Sequence, residues 1–190
     1  MKKLATTFLI GLITTGLANS VHASGEAQKR WERMNQIRIE KFDLVLPEVM
    51  RENNVDMWIT VNREGFDDPL TEDFGKGYTG TYGYYVFTDR GKDRIERAIL
   101  GVGTALVEDN GAYDIFGNPD DLKAFVEKRD PQTIALNYAR NIGAADGLSY
   151  TSYQKLSEEL GTTLDMSHAF TCLNISGEMA TLLLNRHLPI

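Results

Sequence analysis

Five acidic residues lie close together in one stretch of the chain and could act as paired carboxylates or bind a hard cation. They are Glu64, Asp67, Asp68, Glu72 and Asp73. Their spacing does not match a calcium-binding loop, in which acidic or amide side chains alternate ahead of a glycine. The pattern is more typical of a solvated loop, and we expect these side chains to face water.

The segment from Gly75 to Gly80, GKGYTG, has the GxGxxG spacing of dinucleotide-binding loops. That motif requires a strand before it and a helix after it, so that a helix N-terminus meets the pyrophosphate. Here an aromatic and β-branched segment over residues 82–88 follows, which predicts a strand instead. The spacing therefore does not indicate nucleotide binding.

Few residues of the chain offer nucleophilic or metal chemistry. Beyond residue 23 the histidines are His168 and His187, and neither lies in an HExxH pattern. Ser149, His168 and Asp165 can be drawn as a triad, but no local motif supports it. We therefore predict no catalytic residue and no metal ligand in this chain.

The first residues predict a secretory signal peptide. Lysines precede an apolar run over residues 4–17, and Val21-His22-Ala23 offers a small-x-small cleavage site. The run is short for the roughly 20 residues of a membrane span. We expect residues 1–23 to be removed, which gives a periplasmic or secreted protein with no membrane attachment after cleavage.

The composition favours one acidic domain after the leader. The sequence has 190 residues and a formal net charge of −7, which offers no basic surface for nucleic acid or anionic membrane. Cys172 is the single cysteine, so an intrachain disulfide is excluded. We expect a small buried hydrophobe there, with pairing between chains as the alternative.

The first half of the chain predicts helix followed by sheet. Apolar residues at helical spacing cover Glu26–Asn53, where Pro47 either kinks one helix or begins a second. Val55–Asn62 is short and almost entirely apolar, as expected of a central strand buried on both faces. Arg63–Thr81 is predicted to be a long loop, which in a compact domain is often functional.

The next segments predict a hairpin and then a crossover. The predicted elements are strands Tyr82–Thr88 and Arg94–Gly101, an extended piece at Ala105–Val107, a helix from Asn118 to Lys128 and a strand over Thr133–Asn137. Further on are a loop at Asn141–Gly147, a helix capped by Ser149 or Thr151 that ends at Leu160, and an edge strand over Leu164–Thr171.

Four short patterns, in this order, resemble the N-terminal domain of the creatinase, prolidase and aminopeptidase P family. The patterns are Asp56-Met-Trp-Ile, Asn62-Arg-Glu-Gly65, Tyr84-Tyr-Val-Phe-Thr-Asp-Arg-Gly91, and Ile134-Ala-Leu-Asn137 with Asp146-Gly-Leu148. The resemblance covers roughly residues 29–164 and implies an α/β fold with three α/β/α layers and a mixed sheet. We expect this domain over residues 24–170 and a divergent tail over residues 171–190.

The resemblance also implies a function. In the family such a domain precedes a second domain that holds two divalent metal ions and cleaves Xaa-Pro bonds. We expect that second domain to be absent here, so that this chain is exported, is non-catalytic and has no cofactor of its own. One alternative is an intact Xaa-Pro metallopeptidase of which this sequence is a truncated part. The other is a periplasmic module that binds a small molecule or peptide.

By position in the resemblance, Asn62–Thr81 and Asn137–Gly147 are candidate loops for a substrate cleft. The expected partner is a second copy of this chain or a metallopeptidase catalytic domain. Arg63 could hold a substrate carboxylate, and Tyr78 or Tyr82 could line an apolar subsite. The candidate cleft residues are Asn62, Arg63, Tyr78, Tyr82 and Arg140. The alternative is that these residues only close loops and strand ends.

Overall fold

The computed structural model describes residues 5–103, 105–108, 110–138, 143 and 146–160, with side chains from residue 25 onward except at 105 and 106. The chain divides into two compact units, Met1–Gln36 and Ile37–Ile190. The first unit is helical from residue 5, and exposed side chains pair along it, Gln28 with Glu32 at 2.9 Å. No helix among the described residues is long and apolar enough to cross a membrane. Cleavage after residue 23 stays a prediction.

The first helical region consists of two helices, with the proline at the start of the second. This was one of the two alternatives predicted from the sequence. Helix α1 spans Ala5–Leu44 and helix α2 spans Leu46–Glu52, with Pro47 in the first turn of α2. Proline is tolerated there because the first N–H groups of a helix have no intrahelical partner. The second unit thus begins with the end of α1, followed by α2.

The second unit is built on a five-stranded mixed sheet in the order β4-β3-β2-β1-β5. Its strands are β1 (Met57–Asn62), β2 (Tyr78–Thr88), β3 (Glu96–Gly103), β4 (Ile115–Gly117) and β5 (Ile134–Leu136). The β1–β2 and β2–β3 pairs are antiparallel, whereas β4 and β5 lie parallel to β3 and β1. Strand β1 lies inside the sheet with all six residues buried, which confirms the predicted central strand.

Alternating side chains place a hydrophobic core on each face of the sheet. One core joins Trp58, Tyr85 and Phe87 to the end of α1, to α2 and to the one-turn helix α3 (Thr71–Phe74). The other core joins the opposite faces of the same strands to helices α5 (Leu122–Arg129) and α6 (Tyr150–Leu160). This arrangement is the three-layer α/β/α fold with a mixed sheet that was predicted.

Two local predictions in this part of the chain were wrong, and one strand was missed. Residues 63–81 are not one long loop, because they contain α3 and the first four residues of β2. The predicted extended piece at residues 105–107 is helix α4 (Ala105–Glu108), which places Val107 in the core. Strand β4, whose residues are half-buried or exposed, was not predicted.

The second half of the described chain follows the predicted crossover. Asn118 precedes a 3₁₀ turn (Pro119–Asp121) that leads into α5, and the Asn118 N–H donates to Asp121 Oδ2 at 2.9 Å. Strand β5 and helix α6 then follow as expected. The predicted strand over residues 164–171 and the tail over residues 171–190 lie outside the described residues.

Ser149→Ala should lower the free energy of unfolding by about 1 kcal/mol, because Ser149 caps α6. Its Oγ accepts a hydrogen bond from the Ser152 N–H at 3.2 Å. The matched control is Ser157→Ala on the same helix, since Ser157 Oγ is buried without a hydrogen-bond partner among the described residues. Urea unfolding should show no loss for this control, and equal losses for both variants would contradict the capping role.

Candidate functional site

Polar residues meet where β1 and β5 end. The two strands are parallel, with Met57 opposite Ile134 and Ile59 opposite Leu136, so their carboxyl ends lie at the same edge of the sheet. Strand β2 runs antiparallel to β1, and its first residues extend beyond the Asn62–Gly83 pair. We call this the carboxyl edge. Loop A (residues 63–77, which include α3) and loop B (residues 137–149, of which 137, 138, 143 and 146–149 are described) both start there. Edges of this kind are where α/β folds bind ligands.

A buried carboxylate joins the two loops. Asp68 of loop A is 2% exposed, and both of its oxygens accept hydrogen bonds from Asn137 Nδ2 of loop B, at 2.7 and 2.6 Å. Asp68 Oδ1 also accepts from the Leu70 N–H at 2.9 Å. These bonds offset part of the cost of removing a charge from water.

Asn62, the last residue of β1, holds the backbone of Asp68 and the side chain of Thr71. Its Oδ1 accepts from the Asp68 N–H at 3.1 Å and from the Thr71 hydroxyl at 3.3 Å. Asn62, Asp68, Thr71 and Asn137 are all buried. Because these amide and hydroxyl groups are directed at one another, this buried group shapes the edge and is not turned toward solvent.

Gly147 of loop B lies directly against Asp68. The N–H groups of Gly147 and Leu148 both donate to the Asn137 carbonyl oxygen, at 3.1 and 2.9 Å. A Cβ atom at position 147 would lie 2.0 Å from Asp68 Oδ2, so only glycine fits at this contact. The two loops that the sequence singled out are therefore in direct contact.

The environment of Asp68 contradicts the expectation that the whole acidic stretch is solvated. Glu64, Asp67 and Glu72 are exposed and Asp73 is half-buried, but Asp68 is enclosed. Burial raises the pKa of Asp68 to about 6, against the lowering effect of its bonds from Asn137 and the Leu70 N–H. This residue therefore titrates much closer to neutrality than an ordinary aspartate.

Loop A is held at its far end by side chains from the rest of the second unit. The Arg38 guanidinium donates to the carbonyl oxygens of Asp73 and Glu72, at 2.7 and 3.1 Å. The hydroxyls of Tyr85 and Tyr113 donate to the carbonyl oxygens of Gly75 and Phe74, at 2.6 and 2.7 Å. Burial lowers the pKa of Arg38 and raises the pKa of both tyrosines. Most backbone groups of the loop thus have fixed partners.

The outer surface of loop A carries a cation beside an exposed aromatic ring, and a second exposed ring lies at the start of β2. Arg63 and Phe66 exchange backbone hydrogen bonds in a tight turn, and the Arg63 guanidinium lies 4.7 Å from the centre of the Phe66 ring. The Glu64 N–H donates to the Gly80 carbonyl oxygen at 3.0 Å, which joins this turn to β2. Phe66 and Tyr78 are each 68% exposed, so both rings are available to a ligand.

The predicted cleft residues lie in different environments. Arg63 is half-buried and Tyr78 is exposed, both at the carboxyl edge. Asn62 is buried in the polar group beneath them, and Tyr82 packs partly against the core on the α5 and α6 face. Arg140 lies outside the described residues. The structure thus brings Asn62 and Arg63 to one place and leaves their role in binding a prediction.

Residues considered for other chemistry are also placed by the structure. The GKGYTG segment continues into β2, so no helix follows it and the geometry of a dinucleotide loop is not formed. Ser149 caps α6. Asp165 and His168, the other two residues of the triad considered from the sequence, lie outside the described residues, as does Cys172. Among the described residues no three His, Cys, Asp or Glu side chains could hold a metal ion, so these residues do not fit a dinuclear metal centre.

Comparison with known proteins gives one similar structure. No family model matches the sequence, and no curated protein matches it. The fold is similar to part of an Xaa-Pro dipeptidase from Bacillus anthracis. The identity is 17%, the TM-score is 0.40, and the match covers 67% of this chain and 32% of that chain. This chain therefore matches about a third of the dipeptidase, and the relation is a coarse one.

Asp68 and Asn137 were not identified as site residues from the sequence. Asp68 was grouped with its exposed neighbours, and its amide partner is 69 positions away. The available signal was the pair of asparagines at the strand ends, since Asn62 ends β1 and Asn137 follows β5. Parallel strands bring such residues to one edge, where a nearby carboxylate needs amide donors.

Proposed function

We propose that this chain is an exported, non-catalytic domain that presents loops A and B as one wall of a cleft for a short peptide. The observation that carries the proposal is the Asp68–Asn137 contact, which fixes the two loops at one edge of the sheet. A fixed wall loses little conformational freedom when a ligand binds. The other side of the cleft would be formed by a second copy of this chain or by a separate metallopeptidase catalytic domain.

The proposed ligand is a short peptide with a free carboxylate and an apolar side chain. The Arg63 guanidinium supplies a charged hydrogen-bonding group, and the adjacent Phe66 ring is exposed. Tyr78 at the start of β2 offers a second apolar surface at the same edge. A dipeptide that ends in proline presents both features, since its ring is apolar and its terminus is anionic.

The test combines cleavage and binding of Gly-Pro and Ala-Pro by the full chain. With added Mn²⁺, Co²⁺ or Zn²⁺ we expect no hydrolysis. Nitrogen–proton correlation spectra should show weak binding, with shifts confined to residues 62–82 and loop B. Arg63→Ala should weaken this binding about tenfold, the loss of roughly 1.4 kcal/mol expected for a charged hydrogen bond.

The control is Arg90→Ala, which removes an exposed guanidinium in the turn between β2 and β3, at the other end of the sheet. This variant should bind the dipeptides like the unaltered chain. Metal-dependent cleavage by this polypeptide alone would refute the proposal and favour an intact peptidase. Binding of amino acids that is insensitive to Arg63→Ala would favour a small-molecule binding module instead.

A further inference from the structure

The Asp68–Asn137 contact contains a polar atom that the charged form of Asp68 cannot satisfy. Asn137 Nδ2 lies between the two carboxylate oxygens, at 2.7 and 2.6 Å. Asn137 Oδ1 is buried and accepts no hydrogen bond from the described part of the chain. An ionised carboxylate offers acceptors alone, whereas an amide carries donors and an acceptor. The ionised pair therefore leaves a buried carbonyl oxygen without a donor, which costs free energy.

A protonated carboxyl group would remove this mismatch. Its carbonyl oxygen accepts from the Asn137 N–H, and its O–H donates to the Asn137 amide oxygen. Two parallel hydrogen bonds then replace the single shared donor, and both buried groups have partners. Only a proton from water and a small reorientation of the amide are needed, and no covalent bond other than that O–H forms or breaks.

We propose that Asp68 and Asn137 form a proton-operated clasp between loops A and B, which closes more firmly when Asp68 takes up a proton. Gly147 lies against the same carboxyl group, so the clasp includes the backbone of loop B as well as the Asn137 amide. Mild acid is thus expected to stiffen the carboxyl edge. This proposal concerns the edge itself and does not depend on peptide binding.

Among the described residues, no cation contacts Asp68 that would hold it ionised. The groups packed against it are the neutral Asn62 of β1, Thr71 of α3, and Asn137 and Gly147 of loop B. From β2, Tyr85 interacts with Asp68 electrostatically, but its hydroxyl is neutral because burial raises its pKa. Further out, the described anions Asp67, Glu72 and Asp146 cannot pair with Asp68. The cation Arg38 donates to the carbonyl oxygens of Asp73 and Glu72, and Lys76 pairs with Asp67 and Glu72.

The direction of the pH effect follows from burial. Asp68 binds its proton more tightly in the folded chain, with a pKa of about 6, than in the unfolded chain, where the ordinary value of 3.8 applies. Stability contributed by Asp68 therefore rises as the pH falls through 6 and levels off below 3.8. Between about pH 7.5 and pH 5, this single group should raise the folding equilibrium constant roughly tenfold.

The experiment follows the clasp in the full chain by NMR during a pH titration. The Asp68 carboxyl carbon should titrate with a midpoint near 6. The side-chain amide signals of Asn137 should shift with the same midpoint, and its N–H protons should exchange more slowly with water below it. A carboxyl group that is merely buried would not slow the exchange of the Asn137 amide.

Asp68→Asn supplies a neutral partner with both a donor and an acceptor, so it should hold the clasp closed at all pH values. In urea unfolding this variant should lack the roughly tenfold pH-dependent component of the unaltered chain. Asp67→Asn, at the exposed neighbouring carboxylate, should keep that component. A midpoint below about 4.5, or Asn137 signals that do not change through the Asp68 titration, would overturn the proposal even if no variant can be purified.

Discussion

Phe87→Ala should lower the free energy of unfolding by about 3–5 kcal/mol, one of the largest losses expected for a single substitution in this chain. Phe87 is completely buried on β2 and contacts four aromatic rings. Its ring centre lies 5.1, 5.4, 5.3 and 6.4 Å from those of Phe42, Trp58, Phe74 and Tyr113. Removing the ring leaves a cavity between the sheet and the first helical layer, which such rigid neighbours fill poorly.

The matched control for that experiment is Phe66→Ala in loop A. Phe66 is 68% exposed and its described ring contact is with the Arg63 guanidinium, so its loss should cost less than about 1 kcal/mol. Both variants can be unfolded in urea and followed by circular dichroism. Similar losses for the two phenylalanines would show that the ring cluster around Phe87 does not form the core of the folded chain.

The elements that could be predicted from the sequence are those whose signal is local. The apolar run of β1, the proline in the first turn of α2 and the cap of α6 each reflect a preference of neighbouring residues. Helix α4 and strand β4 have only four and three residues, so neither shows a usable period. Their conformations depend on contacts with distant strands.

Glycine residues caused the error at the start of β2. The stretch from Gly75 to Thr81 is predicted from the sequence to be the end of a loop, yet Tyr78 onward is strand, with an irregular register between Thr79 and Tyr84. At Gly83 a Cβ atom would lie 2.5 Å from a methyl group of Val102 and 2.9 Å from the Gly101 carbonyl oxygen. Close approach of β3 therefore requires glycine inside the strand, a need that only the folded pairing reveals.

The candidate site could be predicted as a region but not as a set of contacts. Two loops were identified by their position in the family resemblance, and parallel pairing of β1 with β5 brings them together. The buried carboxylate was missed because Asp68 and its exposed neighbour Asp67 are the same residue type in the same acidic stretch. Its distinguishing feature, enclosure by Asn137 and Gly147, arises from tertiary structure.

Gly147→Ala should lower the free energy of unfolding by about 3 kcal/mol, because loop B has no room for a methyl group. The added Cβ would lie 2.0 Å from Asp68 Oδ2, 2.5 Å from Asp68 Cγ and 2.8 Å from Pro69 Cδ. The carboxylate cannot simply move away, since Asn137 and the Leu70 N–H both hold it. The variant must therefore separate the two loops or break those hydrogen bonds, which amide exchange at Asn137 would detect.

Gly143→Ala in the same loop is the control, since no atom of the described residues lies within 4 Å of a Cβ built at that position. The stability of this variant should be nearly unchanged. A double-mutant cycle with Asp68→Ala identifies the cause of the loss. Asp68→Ala removes the two atoms that clash most severely and leaves Pro69 Cδ, so adding Gly147→Ala to it should cost clearly less than the roughly 3 kcal/mol lost in the unaltered chain. If the two losses add in full, the strain at position 147 does not come from Asp68, and the packing of Gly147 against the Asp68 carboxyl group would have to be rejected.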